Sequence, residues 1–192
     1  MNATATTGEL RLVSLLPSAT EMACALGLAD QLLGITHCCD YPPEILGKPL
    51  VGHGNIPVDD LSLREIDSVV SQSLGRGASL YSVDEKLLRE LAPTHILTQD
   101  LCQVCAPAGN EVTRALRALP VPPQVLWMSP HSIEQIEENI RDLGQATGRE
   151  VEAERLIAAG RSRLRNVAER VAQTTHRPRV FCAEWVDPLF CA

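Results

Sequence analysis

Aromatic rings are scarce in this chain: they make up 3% of 192 residues, and the six side chains are Tyr41, Tyr81, Trp127, Phe181, Trp185 and Phe190. The core is therefore expected to consist of Leu, Val, Ile and Ala, and any ring chemistry must come from those six positions. Basic charge is also short. Lys and Arg number 17 against 24 Asp and Glu, a net charge of −7. That balance works against binding a phosphate backbone, which needs a basic surface to release counterions, so nucleic acid is not an expected partner. No apolar run approaches the roughly 18 to 20 residues that span a bilayer, and no membrane insertion is expected. The opening MNATATTGEL has neither a basic n-region nor an apolar h-region, so the chain as written is expected in the cytoplasm. Absent too are a Gly-x-Ser-x-Gly elbow, a P-loop, a dinucleotide fingerprint and a His-Glu-x-x-His pair, the usual signatures of several enzyme classes. Catalysis is not expected. Seven cysteines are an odd number, and two of them are adjacent. A secreted-type disulfide framework is not indicated, which leaves reduced thiols or a bound metal.

What is present is an alternation of strands and helices. RLVSLL (11–16) is a short apolar run without helical period. PSATEMACALG follows it, with Ser18 as the expected N-cap, Glu21 at capping-box spacing and Gly27 as the stop. LLGITH (32–37) predicts a second strand, and YPPEILGKPLVGHGNIP a proline-punctuated surface connection. In LSLREIDSVVSQSL (61–74) the positions Leu63, Ile66, Val69, Val70 and Leu74 keep helical spacing. VDEKLLRELAP (83–93) predicts a short helix stopped by proline. HILTQ (95–99) and QVLWM (124–128) predict strands, with a helix between them at GNEVTRALRAL (109–119). SPHSIEQIEENIRDLGQATG then predicts a serine-capped helix. Such an alternation is the pattern of a parallel sheet covered by helices. From Glu150 to Thr174 there is no proline, and one apolar face runs from Ala153 through Leu156, Ile157, Gly160, Leu164, Val167 and Ala168 to Val171. A helix of about 25 residues would be roughly 37 Å long. RPRVFCAEW after it predicts a fresh strand with no successor to pair with, just inside a second lobe.

Ligands of open parallel sheets bind outside the carboxyl ends of the strands. The loops predicted there carry Pro17, Ser18, Ala19 and Thr20; His37, Cys38, Cys39, Asp40 and Tyr41; Asp100, Leu101, Cys102, Gln103, Val104 and Cys105; Ser129 and Pro130; and Glu184, Trp185 and Asp187. A metal ion is one candidate occupant. Cys102 and Cys105 have the spacing with which two thiolates grip one ion, and His37 with Cys38 or Cys39 would complete a tetrahedral set. A redox role for the Cys-x-x-Cys pair is another. The plainest alternative is that cysteine, a small and commonly buried residue, only lines or underpins a cleft; this is the expected role of Cys24, Cys182 and Cys191. His95 is expected to be a satisfied strand histidine, with His131 and His176 on the surface.

The stretch RLVSLLPSATEMACALGLADQLLGITHCCDYPP, together with SLY-x-VD at 79–84, LTQDLCQVCA, the SIEQI helix start and RVFCAEWVDPLF, resembles the substrate-binding proteins of iron-siderophore, haem and vitamin B12 importers. It is most similar to the cobalamin-binding branch, over about residues 10–192. The resemblance implies an α/β fold: a parallel-sheet lobe covered by helices plus a long bridging helix, with a second lobe truncated after its first strand. The expected divisions are a disordered 1–9, an N-terminal lobe over 10–147, the bridging helix over 148–175 and the first strand of the incomplete lobe over 176–192. It further implies cobalamin or a related corrinoid or tetrapyrrole as ligand rather than catalytic cofactor, an ABC permease as partner, and a periplasmic or membrane-anchored location for the family. The cleft residues it implies are Pro17 to Thr20, His37, Asp40, Tyr41, Gln99, Asp100, Cys102, Cys105, Glu184 and Trp185, with Tyr81 and Trp127 as further rings near the ligand. Glu65 and Glu85 are the candidates for contacting the transporter. One reading joins ligand and metal: His37 or a cleft cysteine as an axial ligand to cobalt or haem iron.

Overall fold

A computed structural model describes residues 9–100, 109–117 and 119–191. At its centre is β1 (Leu12–Ser14), paired in parallel with β2 (Leu32–Thr36) on one side and β5 (His95–Thr98) on the other. Outward from β2 lies β3 (Leu50–Gly54), then β4 (Tyr81–Val83), which is antiparallel to β3; outward from β5 lies β6 (Gln124–Trp127). The sheet order is β4-β3-β2-β1-β5-β6. Five parallel strands with intervening helices agree with the α/β class read from the sequence.

Neighbouring residues of a strand point to opposite faces, and here they feed two cores. Leu12 and Leu97 join α1 (Pro17–Ala25), α5 (Ile133–Thr147) and α6 (Glu150–Ala172) through Ala19, Ala23, Ile140, Leu143, Ala153 and Ile157. Val13 and Ile96 join α3 (Glu85–Leu91) and α4 (Gly109–Arg117) through Leu88, Val112 and Ala115. Among the described residues no aromatic side chain belongs to either core.

Three sequence expectations need correction. The connection expected over 41–57 contains β3, whose Val51 is fully buried; the glycines and prolines around it read as breakers, yet Gly34 and Gly52 are where neighbouring groups approach the strands closely. Ser18 is not an N-cap. Leu16 holds that position with Pro17 as the first helical residue, a place where proline's missing N–H costs nothing, and Ser14 closes the preceding turn by donating to the Leu16 carbonyl at 3.0 Å. Finally, the strand expected in 177–185 begins at Ala183 and does find a partner: β7 (Ala183–Val186) pairs antiparallel with β8 (Leu189–Cys191) across the Asp187-Pro188 turn.

The helix α2 (Leu63–Gly75) starts from a capping box in which Ser62 and Glu65 satisfy each other's backbone N–H groups. The helix α6 has 23 residues, about 35 Å at 1.5 Å per residue. Its apolar stripe is buried only at the start: Ala153 and Ile157 pack on α5, whereas Leu164, Val167 and Val171 are 50%, 58% and 45% exposed. The α5–α6 contact is close because Gly144 has no side chain; a Cβ there would lie 2.7 Å from that of Ala153. Beside it the buried Glu137 of α5 accepts from the Arg161 guanidinium of α6 at 2.7 Å through Nε, and through a second nitrogen as well. The Arg161 hydrogen bond holds the Glu137 carboxyl below its usual range.

Gly144→Ala is expected to lower stability by about 1–3 kcal/mol through overpacking. Gly160→Ala, at an α6 position with nothing within 4 Å of the added carbon, should raise it by about 0.5–1 kcal/mol; urea unfolding of both variants checks the pair. Because the folded pKa of Glu137 is depressed, its contribution is present above the unfolded value of about 4.3 and is lost as pH falls through the folded one. Unfolding curves of Glu137→Gln should therefore show lower stability at neutral pH and a flatter acid limb.

Candidate functional site

With β1, β2, β3, β5 and β6 parallel, their carboxyl ends lie along one edge of the sheet. From β1 the chain proceeds outward through β2 and β3, and then returns to the other side of β1 to lay down β5. The loops after β1 and β5 part in opposite directions, and such a switch point leaves a crevice between them. The first turn of α1 follows β1 and the Gln99–Asp100 segment follows β5, with Gln99 buried and Asp100 exposed. The Asp100 N–H donates to the Ser129 hydroxyl at 3.0 Å, which ties the loop after β5 to the one after β6.

In the PSAT turn, Ser18 is exposed at the α1 amino end and Pro17 half-exposed, while Ala19 and Thr20 are buried. Thr20 and Cys39 share a hydrogen bond at 3.1 Å that pins the loop after β2 to α1. Burial raises the Cys39 thiol pKa, with Thr20 pulling it partly back. Cys38 faces the other way, exposed, with Sγ 3.3 Å from His37 Nε2; burial, aided by Asp40, raises its pKa as well. The His37 Nδ1 lies 3.3 Å from the Gly52 carbonyl and 3.2 Å from Thr36 Oγ1. Its ring is 6.0 Å from that of Tyr81, tilted by 42°. Tyr81 is half-buried, and its pKa is raised first by desolvation and then by Cys38. His37, Cys38 and Tyr81 thus form one cluster at the rim of the sheet.

Other predicted residues are placed elsewhere. Tyr41 is 60% exposed and turned toward α1 and α6, where it lines a depression of about 380 Å³ with Met22, Glu44 and Leu156. Trp127 is 43% exposed and lines a separate cavity of about 590 Å³ between β6 and α5. Asp40 and Glu184 are exposed. Trp185 is half-buried in the β7–β8 hairpin, its indole N–H donating to the Asp187 carbonyl at 2.9 Å. Asp187 pairs with Arg64 in the first turn of α2, which ties the hairpin to the amino end of that helix. Glu65 accepts from Ser62 within the capping box, and Glu85 pairs with Arg114 at 3.2 Å. His95 is half-buried with its pKa lowered by burial, and His131 and His176 are exposed as expected. Cys182 and Cys191, expected in packing roles, are exposed, and Cys24 is half-exposed.

Cys102 and Cys105 lie outside the described residues. Among the described residues no three His, Cys, Asp or Glu side chains converge to hold a metal ion, and Cys38 and Cys39 face opposite ways. Sequence reasoning missed Gly52, Gly54 and Thr36 as parts of the His37 surroundings, since they become its neighbours only through the pairing of β3 with β2.

No protein-family profile matches the chain. It is 25% identical, over 160 residues, to an uncharacterized ABC transporter substrate-binding lipoprotein of Bacillus subtilis, covering 83% of this chain and 41% of the relative. It is 30% identical over 94 residues to a vitamin B12-binding protein of Vibrio cholerae, covering 43% of this chain and 34% of the relative. Its fold matches a possible iron-binding periplasmic solute-binding protein from Staphylococcus epidermidis with TM-score 0.66 at 20% identity, covering 95% of this chain and 59% of that one. It also matches a periplasmic haem-binding protein from Roseiflexus with TM-score 0.61 at 24% identity, covering 92% and 55%. The homologues and structural neighbours of this chain are ABC transporter substrate-binding proteins of the B12, haem and iron-siderophore type. The chain spans less than half the length of the two curated relatives named. All four are named as binding proteins; the Bacillus subtilis relative is named as a lipoprotein, and the two solved structures as periplasmic. Among the described residues no helix is long and apolar enough to cross a membrane.

Thr20→Val removes the Thr20–Cys39 bond and is expected to cost about 1 kcal/mol. Timed alkylation followed by mass spectrometry should label Cys38 in the native protein and Cys39 only on unfolding, with faster Cys39 labelling in Thr20→Val.

Proposed function

We propose that the chain is a substrate-binding protein, or the N-terminal portion of one, for cobalamin or a related tetrapyrrole chelate, and that it feeds an ABC permease. The observation that carries this reading is the convergence of the α1 turn, the His37 loop and the Gln99–Asp100 loop at the switch-point edge of a lobe whose relatives bind B12 or haem. A large macrocycle with an apolar face and polar edges suits an open rim that carries polar side chains together with the rings of His37, Tyr81 and Trp185, since burial of apolar area supplies much of the binding energy and a few polar groups set orientation. Pro17, Ser18, His37, Asp40, Gln99 and Asp100 would contact it from one wall, and Glu184 and Trp185 from the hairpin. In the same proposal α6 is the bridge to a second lobe. Its exposed Leu164, Val167 and Val171 would be covered by the kind of additional length that the relatives have, with Glu65 and Glu85 facing the permease.

Titration with cyanocobalamin and, separately, haemin should quench tryptophan fluorescence saturably at micromolar ligand, with Trp185→Phe losing most of the signal. A chain extended by a second lobe should bind at least tenfold more tightly. The absence of saturable quenching by either ligand, with or without the added lobe, would sink the proposal.

A further inference from the structure

The apolar stripe of α6 runs through Ala153, Ile157, Gly160, Leu164, Val167 and Val171, at alternating intervals of four and three residues. That spacing makes the narrow seam with which one helix packs along another. Its first part is used inside the lobe, where Ala153 and Ile157 are buried against α5. The Arg141–Glu154 and Glu137–Arg161 pairs cross between the two helices in antiparallel order, so the start of α5 at Ile133 stands level with Leu164. From there α6 continues past α5 for about two turns. Leu164, Val167 and Val171 are exposed along it, and a Cβ at Gly160 would meet nothing within 4 Å. Val167 and Val171 also line a depression of about 370 Å³ with Arg170 and Thr174. The flanks of this open seam are basic. Arg163 and Arg170, one heptad apart, border one side, and Arg161 with Ala168 the other. Arg161 is held by Glu137, but Arg163 and Arg170 have no ion pair among the described residues. In a chain of net charge −7, residues 161–179 hold six arginines against one carboxylate, Glu169.

We propose that the α6 seam from Gly160 to Val171 docks a helix of a second polypeptide, one that carries an apolar stripe of the same spacing with carboxylates on its flanks. Burial of Leu164, Val167 and Val171 supplies the affinity, and Gly160 leaves room for the two axes to approach. Arg163 and Arg170 choose the occupant, because charge matched across the rim of an apolar contact sets specificity more than strength. A second copy of this seam would bring further arginines and no carboxylate to the flanks, so it offers them no counter-charge. The proposal goes beyond the binding-protein reading and does not rest on it; a fused second lobe would compete for the same seam.

The probes are two dye-labelled helical peptides of about three heptads with Leu and Ile in the stripe, one flanked by Glu and the other by Lys. Fluorescence anisotropy with the 192-residue chain should show saturable binding of the Glu peptide, weakened by added salt, and binding of the Lys peptide weaker by about tenfold or more. Arg163→Glu with Arg170→Glu should reverse that order. Leu164→Ser, at an exposed position and checked for folding by circular dichroism, should weaken the Glu peptide by about tenfold or more through lost apolar burial. Equal binding of the two peptides, or an order that survives the double charge reversal, overturns the proposal. So does binding of neither peptide, whether light scattering then shows a dimer that Leu164→Ser dissolves, which makes a second copy the occupant, or the chain instead sediments with phosphatidylglycerol vesicles, which makes it a lipid surface.

Discussion

Two-sided burial of β1 is the constraint on which the rest of the lobe depends. Its three residues pair in parallel on both edges and are fully buried on both faces. Parallel neighbours on both sides require crossover connections, and these supply the helices that cover Leu12 on one face and Val13 on the other. Because β1 is laid down first and β5 on its opposite side later, the loops that follow them diverge. The crevice follows from strand order, and no particular polar residue creates it.

At that edge the polar groups are supported by partners the sequence does not place beside them. Thr20 holds Cys39 in the core and so turns Cys38 outward. Gly52 orients His37, and Gly54 gives its ring space. The hairpin meets the amino end of α2 through the Arg64–Asp187 pair, whose side chains are exposed; surface pairs of this kind are weak.

Away from the rim, the α5–α6 contact aims the long helix. Gly144 lets the two axes approach, and Glu137 with Arg161 locks their angle. Beyond Ile157 the apolar stripe continues without cover among the described residues, so one helix serves as core at its start and as an uncovered apolar face further along.

By itself the sequence determined the α/β class, most of the helices with the serine cap before Ile133 and the Gly27 stop, the aliphatic core and the grouping of loops at one sheet edge, because these follow from local periodicity and capping chemistry. It took β3 for part of a loop, since a short strand rich in glycine looks like one until its neighbours are known, and it assigned no strand at β4. It grouped His37, Cys38, Cys39 and Tyr41 as one lip, though consecutive residues of a loop point in different directions. Only the tertiary structure decided that Cys39 belongs to the core, that Tyr41 turns toward α6, and that His37 meets Tyr81 across β3. Those outcomes depend on pairings between segments far apart in the chain, where packing and register, not local pattern, set which side chains share a space.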